Sequence, residues 1–275
     1  MEKSKVYFAN FRATVQENIQ QKLVRLMKTA GMDTIDFDKK YVAIKIHFGE
    51  PGNLAYLRPN YAKTVVDFVK SLGGKPFLTD CNTLYVGGRK NALDHLDSAY
   101  VNGFSPFSTG CHVIIADGLK GTDEVLVPVE GGTYVKEAKI GRAVMDAVKS
   151  ADDESNDILN CKMAEYTKAV IDGRPNFHIS LVMDVSPYCD CHGENDAPIV
   201  PDVGMFASFD PVALDKACAD AVNRQPICRG SVLDEVEHVH HDHFTDIFPD
   251  TNWSSCLEHA KKLGLGTDDY ELIQI

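Results

Sequence analysis

Apolar and polar positions along the chain follow two alternating rhythms. Short apolar runs read as strands: "KVYFAN" (5–10), "YVAIKIHFG" (41–49), "KPFLTDC" (75–81), "CHVIIAD" (111–117), "FHISLVMDV" (177–185), "VGMFASF" (203–209) and the closing "YELIQI". Between them apolar residues fall at helical spacing. In "VQENIQQKLVRLMKTAG" (15–31), Ile19, Leu23, Met27 and Ala30 line one face and Gly31 ends the run. "RPNYAKTVVDFVKSLGG" (58–74) carries Pro59 early and glycines at its end. The same spacing predicts helices over 89–104, 135–148, 158–173 and 210–225, and a last one near 253–263. The helix at 210 has Asp210 as N-cap and Pro211 in its first turn. "DEVLVPVE" (123–130) reads as an extended hairpin element.

Strands alternating with helices predict an α/β fold, with a mostly parallel, doubly wound sheet and helices on both faces. The chain reads as a single α/β domain over 1–275. The polar seam "KSADDESND" (149–157) is its best candidate for a junction or insertion point.

In open α/β sheets ligands bind beyond the carboxyl ends of the strands, so the residues that follow each strand are the candidates. After "VAIKI" stand His47, Glu50 and Asn53, in a Gly-Pro-Gly setting that lets backbone approach a ligand. After "KPFLT" stand Asp80, Asn82, Thr83, Tyr85 and Arg89; after "HVIIA", Asp117; after "ISLVM", Asp184, then Cys189, Asp190, Cys191, His192 and Asp196. Strand-end Asp and Asn also serve as turn formers and caps, which is the simpler reading of Asp117 before Gly118.

Composition narrows the class. A net charge of −12 argues against a nucleic-acid partner, which needs a basic face. No apolar run approaches the length of a membrane span, and the start "MEKSKVYFAN" lacks a signal-peptide core, so no membrane partner and a cytoplasmic location are predicted. The eight cysteines are then expected as thiols. Cys111 and Cys218 read as small core residues. Cys189, Cys191 and His192 are candidate ligands for a borderline transition metal, zinc or iron, because the two thiols of a CxC pair can face one ion. No complete iron–sulfur cluster motif is present. "EHVHHDHF" (237–244) matches no zinc spacing and reads as a solvated surface loop.

Taken together, "KIHFGEPGNLAYLRP", "TDCNTLYVGGRKNALDHL", "KMAEYTKAV" and "DVSPYCDCHGENDAPIVPDVGMFASFDPVALDKA" resemble the family called domain of unknown function 362, whose members are associated with iron–sulfur centres. The resemblance covers most of residues 5–225 and the closing "LGLGTDDYELIQI". It implies a setting in anaerobic metabolism and, in longer relatives, a two-cluster ferredoxin segment. Here the parts that flank that segment are joined through "VKSADD".

The functional expectation is a metal- or small-ligand-binding crevice in a redox-linked enzyme working with a ferredoxin-type partner. His47 or Glu50 would be the acid–base group. Asn53, Asp80, Asn82, Thr83 and Asp196 would contact the ligand, and Arg89 would hold a substrate anion. The alternative is a non-catalytic metal or cofactor carrier. A structural subunit would leave these groups dispersed.

Overall fold

The computed structural model describes residues 3–146 and 156–275. Its elements run β1 (Ser4–Asn10), α1 (Ile19–Thr29), β2 (Tyr41–Lys45), α2 (Pro59–Ser71), β3 (Lys75–Asp80), α3 (Ala92–Val101), α4 (Pro106–Thr109), β4 (Val113–Ile115), β5 (Glu124–Pro128), β6 (Glu137–Gly141), α5 (Arg142–Met145), α6 (Asn156–Ile171), β7 (His178–Val182), β8 (Gly204–Ser208), α7 (Pro211–Asn223), α8 (His243–Ile247), α9 (Ser254–Lys262) and β9 (Tyr270–Gln274). All but the last two residues of the 149–157 seam lie outside the described residues.

The fold is α/β, as the alternation predicts, and its strands are divided among three sheets. Strands β2, β3 and β4 form a parallel sheet, because α2 and α3 supply the crossovers that parallel neighbours need. Strands β7, β8, β1 and β9 form a second sheet in that order. Here β8 is antiparallel to both neighbours, while β1 and β9 are parallel. The connection from β7 to β8 contains no helix, so the chain turns back beside itself. Helices cover both faces of this sheet. On one side Val6, Val182 and Phe206 pack against Ala213, Leu214 and Ala217 of α7. On the other, Ala9, Met205 and Ala207 meet Leu23, Leu26 and Met27 of α1. Among the described residues, no helix is long and apolar enough to cross a membrane.

Two sequence expectations are corrected. The helix predicted from residue 15 begins only at Ile19, where Asn18 caps it and Gln21 completes a capping box. The helix predicted over 135–148 is strand β6 followed by the single turn of α5, up to the last described residue, 146. Residues Ala138 and Ile140 are buried on either side of exposed Lys139, a period of two. They pair with Val127 and Val125 of β5. Cross-strand pairing overrides the helix propensity of Lys, Glu and Ala here.

Asp210 caps α7 as expected and does more. One oxygen accepts the Ala213 N–H at 2.9 Å. The other accepts the Thr267 N–H at 3.0 Å and the Ser4 hydroxyl at 2.6 Å. The carboxylate therefore ties α7 to the start of β1 and to the segment leading into β9. Asp210→Ala is expected to cost about 2–3 kcal/mol, a cap plus two further hydrogen bonds. Chemical denaturation reads this directly, and an unchanged midpoint would contradict it.

Candidate functional site

The segments after β2, β3 and β7 come together although β2 and β7 belong to different sheets. The Glu50 N–H donates to the Asp190 carbonyl at 2.9 Å. The Asn53 amide donates to the carbonyls of His192 at 2.8 Å and Cys189 at 3.3 Å. The Leu54 N–H donates to the side chain of Asn195, and the Tyr85 hydroxyl to the Cys191 carbonyl. Gly52 permits this docking. Its φ is +101°, and a Cβ there would sit 2.9 Å from the Gly193 carbonyl oxygen. Arg58, just before α2, and Asp184, at the end of β7, close the seam with a 3.0 Å ion pair.

Inside this junction Arg89 is almost fully buried, at 1% exposure. Its Nε donates to Glu50 at 2.7 Å and an Nη to the Tyr85 hydroxyl at 2.5 Å. The second oxygen of Glu50 accepts the Gly88 N–H. Burial works to lower the guanidinium pKa, but the bond to Glu50 together with the charges of Tyr85, Glu50 and Asp80 outweighs it and the pKa ends raised. Burial also pushes the Tyr85 phenol up to about 12. Arg89 was expected to hold a substrate anion and Glu50 to be a candidate acid–base group. The two residues face each other and form the frame of the site.

His47 stands beside this frame. Its Nδ1 lies 3.0 Å from an oxygen of Asp190 and 3.0 Å from the Gly49 N–H. Only one of these can be its partner at a time. The carboxylate bond is the stronger, so Nδ1 is assigned as the donor to Asp190. Burial opposes the charge on Asp190, yet the hydrogen bond and charge of His47 hold its carboxyl below the ordinary range. His47 Nε2 is buried and has no hydrogen-bond partner.

A second imidazole lies within the same charge environment. His95 on α3 is fully buried, stacked edge-on against Phe48 with ring centroids 5.7 Å apart, and neither ring nitrogen has a partner. Burial pushes it down to about 4, with the charge of Asp80 opposing and those of Arg89, His47 and Lys45 reinforcing the shift. The sequence reading passed over it. The available signal was a histidine on the apolar face of "ALDHLDSAY" with no obvious polar partner at helical spacing.

The other candidates fall into place unevenly. Asn82 donates to Asp117 and to the Gly118 carbonyl, and its buried Oδ1 has no partner. Asp117 is therefore a long-range tie as well as a turn residue. Asp80 accepts from the Cys81 N–H and lies 3.4 Å from Lys45 Nζ. The Thr83 hydroxyl bonds within its own turn, to the Tyr85 carbonyl. Asp196 is exposed and accepts from the Ala197 N–H. His192 is exposed and faces Glu194 at 3.3 Å.

Cys189 is exposed, Cys191 is half-buried, and they are not bridged. The interaction between the two sulfurs pushes Cys189 up and brings Cys191 down to about 7. Cys111 is buried and Cys218 half-buried. In the 237–244 segment His238, His240 and His241 are exposed, while His243 opens α8 and lies 3.1 Å from the Gln225 carbonyl. Among the described residues, no group of three or more His, Cys, Asp or Glu side chains is placed to hold a metal ion together.

An unpaired buried polar group costs about 1–3 kcal/mol. His95→Phe keeps an aromatic ring against Phe48 and removes two such groups, so it is expected to stabilise the protein by about 1–2 kcal/mol. It should also change the acid limb. A histidine whose folded value lies below its ordinary 6.5 contributes stability that is present above pH 6.5 and lost as pH falls toward 4. The loss is of order 3 kcal/mol for His95. Half-buried His178, lowered to about 4 by burial, adds a loss of the same sign. Denaturation between pH 7 and 4 should show a shallower loss in His95→Phe than in the parent; parallel curves would contradict this.

A family model described as "Domain of unknown function (DUF362)" matches residues 42–150 and 146–220. No curated protein and no solved structure matches the chain.

Proposed function

The chain belongs to the domain of unknown function 362 family, and on that premise we propose that it binds a small polar ligand where the segments after β2, β3 and β7 meet, as a redox-linked enzyme whose acid–base group is His47. One observation carries this reading: Asp190 fixes the ring of His47 while its buried Nε2 has no partner. A carboxylate that orients one ring nitrogen and leaves the other free is the arrangement a general base or a ligating imidazole requires. Asn82 Oδ1 and the nitrogens of His95 are further buried polar atoms without a partner. Asn53, Glu50 and Arg89 hold the segments in place, Asp80 and Thr83 bond close to their own positions, and Asp196 is exposed.

The reading treats residues 1–275 as one α/β domain. The two stretches of family match overlap at 146–150, at the start of the 149–157 seam where the resemblance implies an insertion in longer relatives. A cytoplasmic location, where thiols stay reduced, fits a chain with eight cysteines. A cubane iron–sulfur cluster does not fit the donors of this chain, which offer a CxC pair and no larger group among the described residues. The electrons of a redox reaction would therefore come from a separate, ferredoxin-type partner. The exposed Cys189 and its neighbour Cys191 favour a second reading, a carrier that holds one zinc or iron ion through the two thiols.

Protein isolated anaerobically without a histidine tag tests both readings by elemental analysis and by mass spectrometry of the released small molecules. His47→Ala is expected to lower ligand occupancy about tenfold or more, the equivalent of one buried ligand hydrogen bond. Equal occupancy in parent and variant would contradict the enzyme reading. A metal present at about one ion per chain, kept by His47→Ala and lost when Cys189 and Cys191 are both changed to Ser, would favour the carrier.

A further inference from the structure

The histidine segment 237–244 has no part in the ligand site, and from its sequence it reads as a solvated loop. The structure sets it on a buried carboxylate. The side chain of Asp246, on α8, is only 1% exposed. Its Oδ1 accepts the His240 N–H at 2.9 Å, which fixes the carboxylate in place. Its Oδ2 lies 3.5 Å from His238 Nδ1. Elsewhere in the chain His259 and His47 close on their carboxylates to 2.8 and 3.0 Å. A charge-assisted hydrogen bond runs at about 2.7–2.9 Å, so the His238 pair stands wide of one. Two donors held at about 2.0–2.1 Å by a tetrahedral zinc ion lie about 3.3–3.4 Å from each other. His238 and Asp246 are thus spaced as two ligands of one ion rather than as a closed ion pair. His240 is the third group at hand. Its backbone N–H already rests on Asp246, and its ring is exposed and free to turn. Rotation of that side chain about its own torsions brings a second imidazole to the same carboxylate without moving the backbone.

We propose that His238, His240 and Asp246 hold a zinc ion, with water in the fourth position. In the structure two of the three already face each other, and His240 completes the set on binding. Imidazole with one carboxylate suits zinc, whereas magnesium and calcium take oxygen ligands. The His240 N–H on Asp246 Oδ1 is the outer bond that orients a ligating carboxylate. The site is separate from the Cys189–Cys191 pair and uses no thiol. It stands on the short helix that backs the loop after β7: Phe248, just past α8, has its ring centroid 5.9 Å from that of Tyr188. A bound ion pins the histidine segment to that helix.

Isothermal titration of zinc chloride into the untagged, chelator-stripped full chain tests this. Cys189→Ser and Cys191→Ser are present throughout, so that no thiol pair competes. About one ion per chain is expected to bind, and His238→Ala, His240→Ala and Asp246→Asn should each weaken it about tenfold or more. Asp246→Asn keeps an oxygen for the His240 N–H while removing the charge. The rings of His238 and His240 are exposed, so their truncation decides the matter even if the Asp246 variant fails to fold. His241→Ala, in the exposed neighbour, should leave the affinity unchanged. Cobalt in place of zinc should give the intense visible bands of a four-coordinate ion. Equal losses in His241→Ala and His238→Ala would mean adventitious chelation by surface histidines only, and would overturn the proposal. So would full zinc affinity in a folded Asp246→Asn, or the weak bands of six-coordinate cobalt.

Discussion

Glu165→Ala is expected to lower stability by about 4 kcal/mol, enough to leave a marginally stable chain largely unfolded at physiological temperature. The side chain is fully buried on α6. Its two oxygens accept the backbone N–H groups of Thr133, Tyr134 and Val135, and His259 of α9 lies 2.8 Å from one of them. One carboxylate therefore fixes the turn between β5 and β6 to two helices. Truncation leaves several donors without a partner, and each such loss costs about 1–3 kcal/mol before water relieves it. Glu165→Gln should be nearly as harmful, because an amide presents N–H where the backbone needs an acceptor. The pH dependence has a definite sign. Burial works to raise the Glu165 pKa, but the backbone bonds and His259 outweigh it and the carboxyl ends below its ordinary 4.5. Its contribution is complete above pH 4.5 and is lost as pH falls through the depressed folded value. Urea denaturation of parent and variants at pH 7 and pH 4 measures both effects. A Glu165→Ala midpoint within about 0.5 kcal/mol of the parent would contradict them.

Gly52→Ala is expected to abolish ligand occupancy while leaving most of the fold intact. The residue sits at φ +101°, where a side chain is strained, and its new Cβ would meet the Gly193 carbonyl oxygen at 2.9 Å. Both obstacles are backbone, so rotamer adjustment relieves neither, and the 46–54 segment must move away from the cysteine loop. That movement separates the Glu50 N–H from the Asp190 carbonyl and the Asn53 amide from those of Cys189 and His192. Asp190 then no longer orients His47. Gly193→Ala approaches the same contact from the other side, since its Cβ would lie 2.9 Å from the Pro51 carbonyl oxygen. Both variants should lose at least tenfold in ligand occupancy, with circular dichroism close to the parent. Full occupancy in Gly52→Ala would contradict this packing.

Periodicity in the sequence was enough to predict the α/β class, most helix positions and the Asp210–Pro211 helix start, because each depends on neighbouring residues. Strand β6 was misread because its pairing with β5, not its local propensity, decides its conformation. The strand-end rule brought forward His47, Asp80, Asn82 and Cys189, and the first and last of these do share a junction through Asp190. Their partners were hidden by distance along the chain. Glu50 meets Arg89 across 39 positions, and Asn53 reaches the His192 carbonyl across 139. Neither separation leaves a local pattern, so Arg89 looked like a free cation. His95 was missed for a related reason. A histidine on the apolar face of a helix reads as core until burial shows both nitrogens unpaired.

The most direct measurement of the central claim is a crystal structure of the full chain isolated anaerobically and never exposed to chelator. Density for a bound group within hydrogen-bonding or ligating reach of His47 Nε2 is expected, with Asp190 still on Nδ1. A ring whose Nε2 is packed against carbon, with no bound group within reach, would contradict the claim that these three segments build a ligand site.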